Sequence, residues 1–167
     1  MKFSVVIPAF NEEKTINHSI GALLKQDVSR KNFEIIVVDN NSKDKTSIAA
    51  KKAGADKVVV EKEPGTNFAR QKGVEVSKGK IVAFLDADSK PPKDWLSTIE
   101  EVMKRGDLVG VSGPYRYGQA FLDFMAGTVF PPFAKIFPKV TGIKGGIMLG
   151  GNMAMYKSAI DKIEKLV

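Results

Sequence analysis

The chain predicts an α/β fold, a mostly parallel sheet with helices on both faces. Three observations carry this. Apolar runs alternate with segments of helical periodicity as far as residue 112. The runs at residues 34–39 and 81–86 are too continuously apolar for a strand with one wet face. Glycines, Gly54 and Gly79 among them, punctuate the alternation.

Residues 3–8 read as the first strand, and residues 12–25 as a helix with Ile16, Ile20, Leu23 and Leu24 on one face. A second strand spans 33–39. The helix over 43–53 is closed by Gly54 as its C-cap. A short strand at 57–61 precedes a helix over 68–77, which Lys78-Gly79 stops. Residues 80–86 form the central strand, 93–104 a helix and 108–112 another strand. Beyond residue 113 the pattern changes. Phe121, Phe124, Phe130, Phe133 and Phe137 crowd into 121–137, and Pro131-Pro132 breaks that segment into two short helical pieces. A glycine-rich stretch, 142–151, leads to a strand over 152–156 and a last helix from Lys157.

A length of 167 residues with 43% hydrophobic content supports one domain with its own core. The chain has no cysteine, which excludes disulfides and thiolate metal sites. Its one histidine, His18, lies on the surface of the first predicted helix, so His-based catalysis is not expected. Met1-Lys2-Phe3-Ser4 runs straight into a strand, and no signal peptide is expected. No apolar run reaches the about 18 residues of a spanning helix. A net charge of +7 suits nucleotides, phosphates or an anionic surface. The lysines are scattered, without the arginine–aromatic interleaving of many RNA binders, so no nucleic-acid partner is expected.

Ile81-Val82-Ala83-Phe84-Leu85 ends in Asp86-Ala87-Asp88. If the strand continues, the two carboxylates share a face. Their repulsion is relieved by sugar hydroxyls or by a hard divalent cation, magnesium or manganese. The plainer reading is a solvated turn, with Asp88 capping the helix near Pro91-Pro92. In open α/β sheets, sites lie at the carboxyl ends of strands, where Pro8, Asp39, Asp86 and Asp88 all fall.

Five segments in order resemble family 2 glycosyltransferases, which have the GT-A fold, a Rossmann-like sheet. They are Ser4-Val5-Val6-Ile7-Pro8-Ala9-Phe10-Asn11-Glu12-Glu13, Ile36-Val37-Val38-Asp39-Asn40-Asn41-Ser42-Lys43-Asp44-Lys45-Thr46, Asn67-Phe68-Ala69-Arg70-Gln71-Lys72-Gly73, Asp86-Ala87-Asp88, and Gly150-Gly151-Asn152-Met153-Ala154-Met155-Tyr156-Lys157. The resemblance implies a single GT-A-like domain over 1–167, with a nucleotide-sugar-binding part over 1–113 and an acceptor-side part over 114–167. It implies inverting, metal-assisted transfer of a sugar from a nucleoside diphosphate sugar, as in cell-envelope polysaccharide synthesis. Pro8, Asn11 and Glu12 would shape the nucleotide pocket, and Asp39 would accept a hydrogen bond from the base. Arg70 would approach the phosphates. Asp86 would lie near the ribose and donor sugar, and Asp88, with Asp86, would hold magnesium or manganese. Gly150, Gly151 and Asn152 would face the acceptor. Read singly, Asp39 and Asp44 also suit capping of the helix near Ser42, Arg70 a helix-face ion pair, and Glu12 a first-turn charge.

Two departures stand out. Asn40 and Asn41 occupy positions where the family commonly has Asp and Gly. The acidic pair that supplies the family's general base has no counterpart here; only Asp161 and Glu164 follow the Gly-Gly segment. The alternative function is therefore a donor-nucleotide-binding module with little or no transfer activity, because the base segment is absent. Nucleotidyltransferases and dinucleotide-dependent dehydrogenases are disfavoured, because no glycine-rich loop follows the first strand. The phenylalanines of 121–137, bordered by Arg116, Lys135, Lys139 and Lys144, suit either core filling or a membrane interface. The expectation is a cytoplasmic protein with peripheral contact at the inner membrane face and a sugar or lipid-linked acceptor.

Overall fold

The computed structural model describes residues 1–104, 108–113 and 151–162. Its elements are β1 (Phe3–Ala9), α1 (Ile16–Leu23), a 3-10 turn Arg30–Asn32, β2 (Phe33–Asp39), α2 (Thr46–Ala53), β3 (Lys57–Val60), α3 (Thr66–Val76), β4 (Ile81–Leu85), α4 (Trp95–Met103), β5 (Gly110–Ser112), β6 (Asn152–Tyr156) and α5 (Lys157–Ile160). The strands form one six-stranded sheet in the order β3-β2-β1-β4-β6-β5. β1 pairs in parallel with β2 and β4, and β2 with β3. β6 runs antiparallel to both β4 and β5. The mostly parallel α/β expectation holds. The antiparallel β6 separates β5 from β4 and joins residues 151–162 to the same sheet.

Alternation along the strands divides the core. Phe3, Val5, Ile7, Phe33, Ile35, Val37, Ala83 and Leu85 face α1 and α4, meeting Ile16, Ile20, Leu23, Leu96 and Met103. Val6, Ile36, Val38, Val82 and Phe84 face α3 and α5, meeting Ala69, Val74 and Ile160. Both faces of β1, β2 and β4 are covered, which is why their sequences read as continuous apolar runs. Gly73 lets α3 approach β1 closely, since a Cβ there would lie 2.2 Å from Val6 Cγ1. Pairing of β1 with β4 stops at Val6, so Pro8, which has no N–H, lies where β2 alone borders the strand.

Several helices start later than their periodicity predicts. Residues 12–15 and 43–45 are held by cross-loop hydrogen bonds instead. Gly54 caps α2 with φ 102°, as expected. His18 is exposed on α1, also as expected. The phenylalanines of 121–137, Pro131-Pro132, Arg116, Lys135, Lys139, Lys144, most of the glycine-rich stretch including Gly150, and Glu164 lie outside the described residues.

At the amino end of the sheet, Glu34 is only 3% exposed. Its Oε1 accepts from the Ser4 hydroxyl at 2.6 Å and the Lys78 N–H at 2.7 Å. Lys57 Nζ lies 3.1 Å from Oε2 and donates to Val76 O at 2.7 Å. Lys157 Nζ adds bonds to Val74 O and Ser77 O, so two cations satisfy carbonyls at the end of α3. Burial pushes the Glu34 carboxyl up, but Ser4, the Lys78 N–H and Lys57 outweigh it and hold it below the ordinary glutamate range.

A group whose folded pKa is depressed stabilises the fold above its unfolded pKa, and that contribution is lost as pH falls through the folded value. Glu34→Gln should therefore lower stability at neutral pH by about 1–3 kcal/mol. Unfolding curves of both proteins should converge below the ordinary glutamate pKa of about 4.3. A gap that stays constant into acid would show that the charge of Glu34 contributes nothing.

Candidate functional site

The strand order reverses between β1 and β4, and a cleft of about 270 Å³ opens beyond their carboxyl ends. The end of β1 and the turn after it supply Pro8, Ala9, Phe10 and Glu12. Asn40, just past β2, forms another part of the wall, and Thr66 and Ala69 come from the first turns of α3. Asp86, Ala87 and Asp88 come from the turn after β4.

The loop after β1 and the loop after β2 are laced together. Asn11 and Asn41 adopt φ 56° and 64°, a left-handed conformation that asparagine tolerates better than most residues. The Asn11 N–H donates to Ser42 Oγ at 2.9 Å, and its Oδ1 accepts the Lys43 N–H at 2.8 Å. The Glu12 N–H donates to Thr46 Oγ1 at 2.8 Å, and the Glu13 N–H to Asp44 Oδ2 at 3.0 Å. Asp44 also accepts the Thr46 N–H at the start of α2, as its capping reading predicts. The Thr46 hydroxyl foremost, with the N–H groups of Glu13 and Thr46, holds the Asp44 carboxyl below its usual range. Asn11 thus spends its side chain on the neighbouring loop and is not among the residues lining the cleft.

Asp39 ends β2 and is 6% exposed. Its Oδ1 accepts the Ser42 N–H at 2.9 Å, and its Oδ2 accepts the Ser47 hydroxyl. These bonds fix the turn into α2. Pro8, Glu12 and Asp86 line the cleft directly, while Asp39 stands behind its wall.

The structure corrects the placement of the Asp-Ala-Asp run. β4 ends at Leu85, and the Ser89 N–H closes a turn on Asp86 O at 3.0 Å. Strand alternation therefore does not set the two carboxylates side by side. Both face the cleft because the turn carries them there. Buried Ser19 on α1 holds the turn by donating to Ala87 O. Asp88 is exposed, and α4 begins at Trp95 without a side-chain cap, so Asp88 does not cap it.

Arg70 on α3 places its guanidinium 3.7 Å from Asp86 Oδ1. Its side chain is 16% exposed, and its buried Nε has no hydrogen-bond partner among the described residues. A buried N–H without a partner beside a polar cleft fits an anionic ligand. Among the described residues no group of three or more His, Cys, Asp or Glu is placed to hold a metal ion. Asp86 and Asp88 are two hard oxygen donors, which fit a magnesium- or manganese-type ion whose other ligands come from a bound diphosphate or water.

In the segment expected to face the acceptor, Gly151 O accepts the Asp86 N–H at 3.3 Å. Asn152 Oδ1 accepts the Trp95 indole N–H at 2.9 Å. Gly151 and Asn152 are therefore fastened to the Asp-Ala-Asp turn and to α4. Sequence reasoning missed Phe10, which is 57% exposed on the cleft wall, and also Asn40, Thr66, Ser19 and Trp95. Phe10 had a usable signal, since an aromatic directly past a buried strand has no core to enter.

Residues 4–164 match the family described as Glycosyl transferase family 2. The glycosyltransferase AglE of Haloferax volcanii is 33% identical over 121 residues, covering 68% of this chain and 40% of that protein. A dolichol-phosphate mannosyltransferase of Pyrococcus furiosus is 29% identical over 90% of this chain and 40% of that protein. The chain thus spans less than half the length of these relatives. S. aureus TarS 1-349, solved in complex with UDP, superposes with a TM-score of 0.65 and 27% identity over 72% of this chain and 38% of that one. PcManGT, a mannosyltransferase of Pyrobaculum calidifontis solved with GDP-Man and Mn2+, has a TM-score of 0.77 over 98% of this chain and 47% of that one. At 22% identity, that last likeness is one of fold, and it supports the GT-A assignment.

The hydrogen bonds of Asp39 predict a stability role that can be measured apart from ligand binding. Asp39→Ala leaves the half-buried Ser42 N–H and Ser47 hydroxyl without their acceptor and should destabilise the chain by about 1–2 kcal/mol. Urea unfolding monitored at Trp95 would read this loss. An unchanged midpoint would mean that the turn into α2 holds without the carboxylate.

Proposed function

The chain belongs to glycosyl transferase family 2, and we propose that it carries the donor site of an inverting glycosyltransferase. The observation that carries this reading is the meeting of Asp86 and Asp88 in one cleft at the β1/β4 reversal, with the Arg70 guanidinium 3.7 Å from Asp86 Oδ1. Support comes from relatives named as glycosyltransferases and from TarS 1-349 in complex with UDP and with UDP-GlcNAc at 27% and 28% identity.

In this reading the nucleoside lies along the end of β1, over Pro8 and Ala9. The exposed ring of Phe10 offers a face for the base, and Glu12 borders the same pocket. Asp39 and Asn11 hold the loops that frame it. The Arg70 guanidinium, beside Asp86, would approach the diphosphate. Asp86 accepts from ribose or sugar hydroxyls. Asp88 and Asp86 would hold a divalent cation, which when bound neutralises charge on the departing diphosphate.

An acceptor hydroxyl entering from the Gly151–Asn152 side forms the new bond to the anomeric carbon as the bond to the diphosphate oxygen breaks, and the hydroxyl proton passes to water. Attack opposite the leaving group inverts that centre. For the acceptor we propose a sugar or lipid-linked hydroxyl reached at the inner membrane face. The apolar, base-bordered segment 121–137 and the relative named dolichol-phosphate mannosyltransferase support it.

Calorimetric titration with UDP and with GDP should give binding that weakens at least about tenfold, or about 1.4 kcal/mol, when manganese is replaced by EDTA. Asp88→Ala should abolish most of that metal dependence while the unfolding midpoint is kept, because Asp88 is exposed. Equal affinity in manganese and EDTA would remove the metal role. No affinity for either nucleotide would overturn the donor site.

A further inference from the structure

Asn40 stands where the family commonly has an aspartate, and its side chain makes a set of bonds that a carboxylate cannot make. It is 8% exposed and lies one residue past β2. Its Nδ2 donates to Glu61 O at 3.2 Å and to Glu63 O at 2.6 Å. Its Oδ1 accepts the Gly65 N–H at 2.8 Å. One carboxamide thus grips three backbone groups within five residues of the loop between β3 and α3. That loop, Glu61-Lys62-Glu63-Pro64-Gly65, has no regular structure, and all of it past Glu61 is exposed. Among the described residues, its other tie to the rest of the domain is the Glu61 N–H to Asp39 O, at 2.9 Å.

The loop ends where α3 begins. Gly65 takes φ 135° before the helix, and its carbonyl accepts the Ala69 N–H, the first bond of α3. Asn40 therefore fixes the donor side of the residue whose acceptor side starts the helix. The helix residues that follow are Thr66 and Ala69, which line the cleft, and Arg70, which faces Asp86 at 3.7 Å. The far end of α3 is clamped by Lys57 and Lys157. The near end depends on Asn40.

We propose that Asn40 is a positioning residue of the donor cleft: its carboxamide fastens the β3–α3 loop to the end of β2 and thereby sets the distance between Arg70 and the Asp86–Asp88 turn. Asparagine is required because two of the three partners are carbonyls. A carboxylate offers neither a donor, faces both with its own negative oxygens, and would push the loop, Gly65 with it, away from the end of β2. The proposal rests on the donor-site reading above.

The test uses Asn40→Asp and Asn40→Ala in the full chain, with amide hydrogen exchange of the ligand-free protein and calorimetry with UDP and GDP in manganese. Both variants should exchange the Gly65 and Ala69 amides at least about tenfold faster, while amides of β1 and β2 such as Val37 keep their protection. Both should bind nucleotide about tenfold more weakly. Unchanged exchange at Gly65 would overturn the proposal, as would faster exchange with unchanged affinity. Weaker binding accompanied by faster exchange throughout the sheet, or failure of both variants to fold, would make Asn40 a stability residue and overturn its positioning role. Absence of nucleotide binding by the unmutated chain would overturn the donor-site reading, and the positioning role with it. Binding by the unmutated chain that both variants retain would overturn the positioning role alone.

Discussion

Parallel pairing of β1 with β2 on one side and β4 on the other is the constraint from which the rest follows. Parallel neighbours cannot be joined by a tight turn, so each connection must cross the sheet through a helix. The crossovers bring the chain back to the same edge each time. Every strand of the parallel set therefore delivers its carboxyl end to one rim. Pro8, the Asp39-Asn40 pair and Asp86 are far apart in sequence and brought to one rim for this single reason. The reversal between β1 and β4 then leaves a gap between the helices, and the cleft occupies it.

The two rims of the sheet handle polarity differently. At the amino rim, Ser4, Glu34, Lys57 and the Lys78–Gly79 backbone form a buried cluster with its partners in place. This cluster costs desolvation, which is offset by three favourable contacts to one carboxylate. It holds the end of α3 and the entry to β4. At the carboxyl rim the same kinds of side chain serve chiefly backbone, with the Ser47–Asp39 and Thr46–Asp44 bonds beside them. Asn11, Ser42, Asp44, Thr46, Asp39 and Asn40 satisfy N–H and C=O groups of loops that have no ladder of their own. The result is a cleft with little regular structure in its walls and few ways to move them.

The cleft's charge arrangement follows from where α3 and the turn after β4 meet. Asp86 and Asp88 bring negative charge to the rim, and Arg70 brings a fixed positive charge close to Asp86. At 3.7 Å the pair is an ion contact rather than a tight bidentate bond, which leaves guanidinium donors for a ligand. A site with both signs suits a molecule that carries both phosphates and neutral hydroxyls. Fastening of Gly151 to the Asp86 N–H and of Asn152 to Trp95 ties the second half of the sheet to the same point.

The sequence by itself determined the order and type of the elements and which strand ends carry chemistry, because both depend on patterns within short windows. Apolar runs at 33–39 and 81–85 and the αL glycine at 54 specify their conformations locally. Five motifs in order were enough to place the chain in its family. What sequence alone left undecided depended on contacts between distant segments. Nothing near Glu12 or Lys43 shows that their loops are laced together and delay the starts of α1 and α2. Nothing near Asn152 shows that β6 enters the sheet between β4 and β5. The Asp-Ala-Asp run reads locally as strand, and becomes a turn only because Gly151 and Ser19 take its backbone groups. Asn40 reads as a lost carboxylate, and only the fold brings it the carbonyls of Glu61 and Glu63. Side-chain to backbone bonds across more than twenty residues leave no periodic trace in a sequence, so their partners become visible only once the chain has folded.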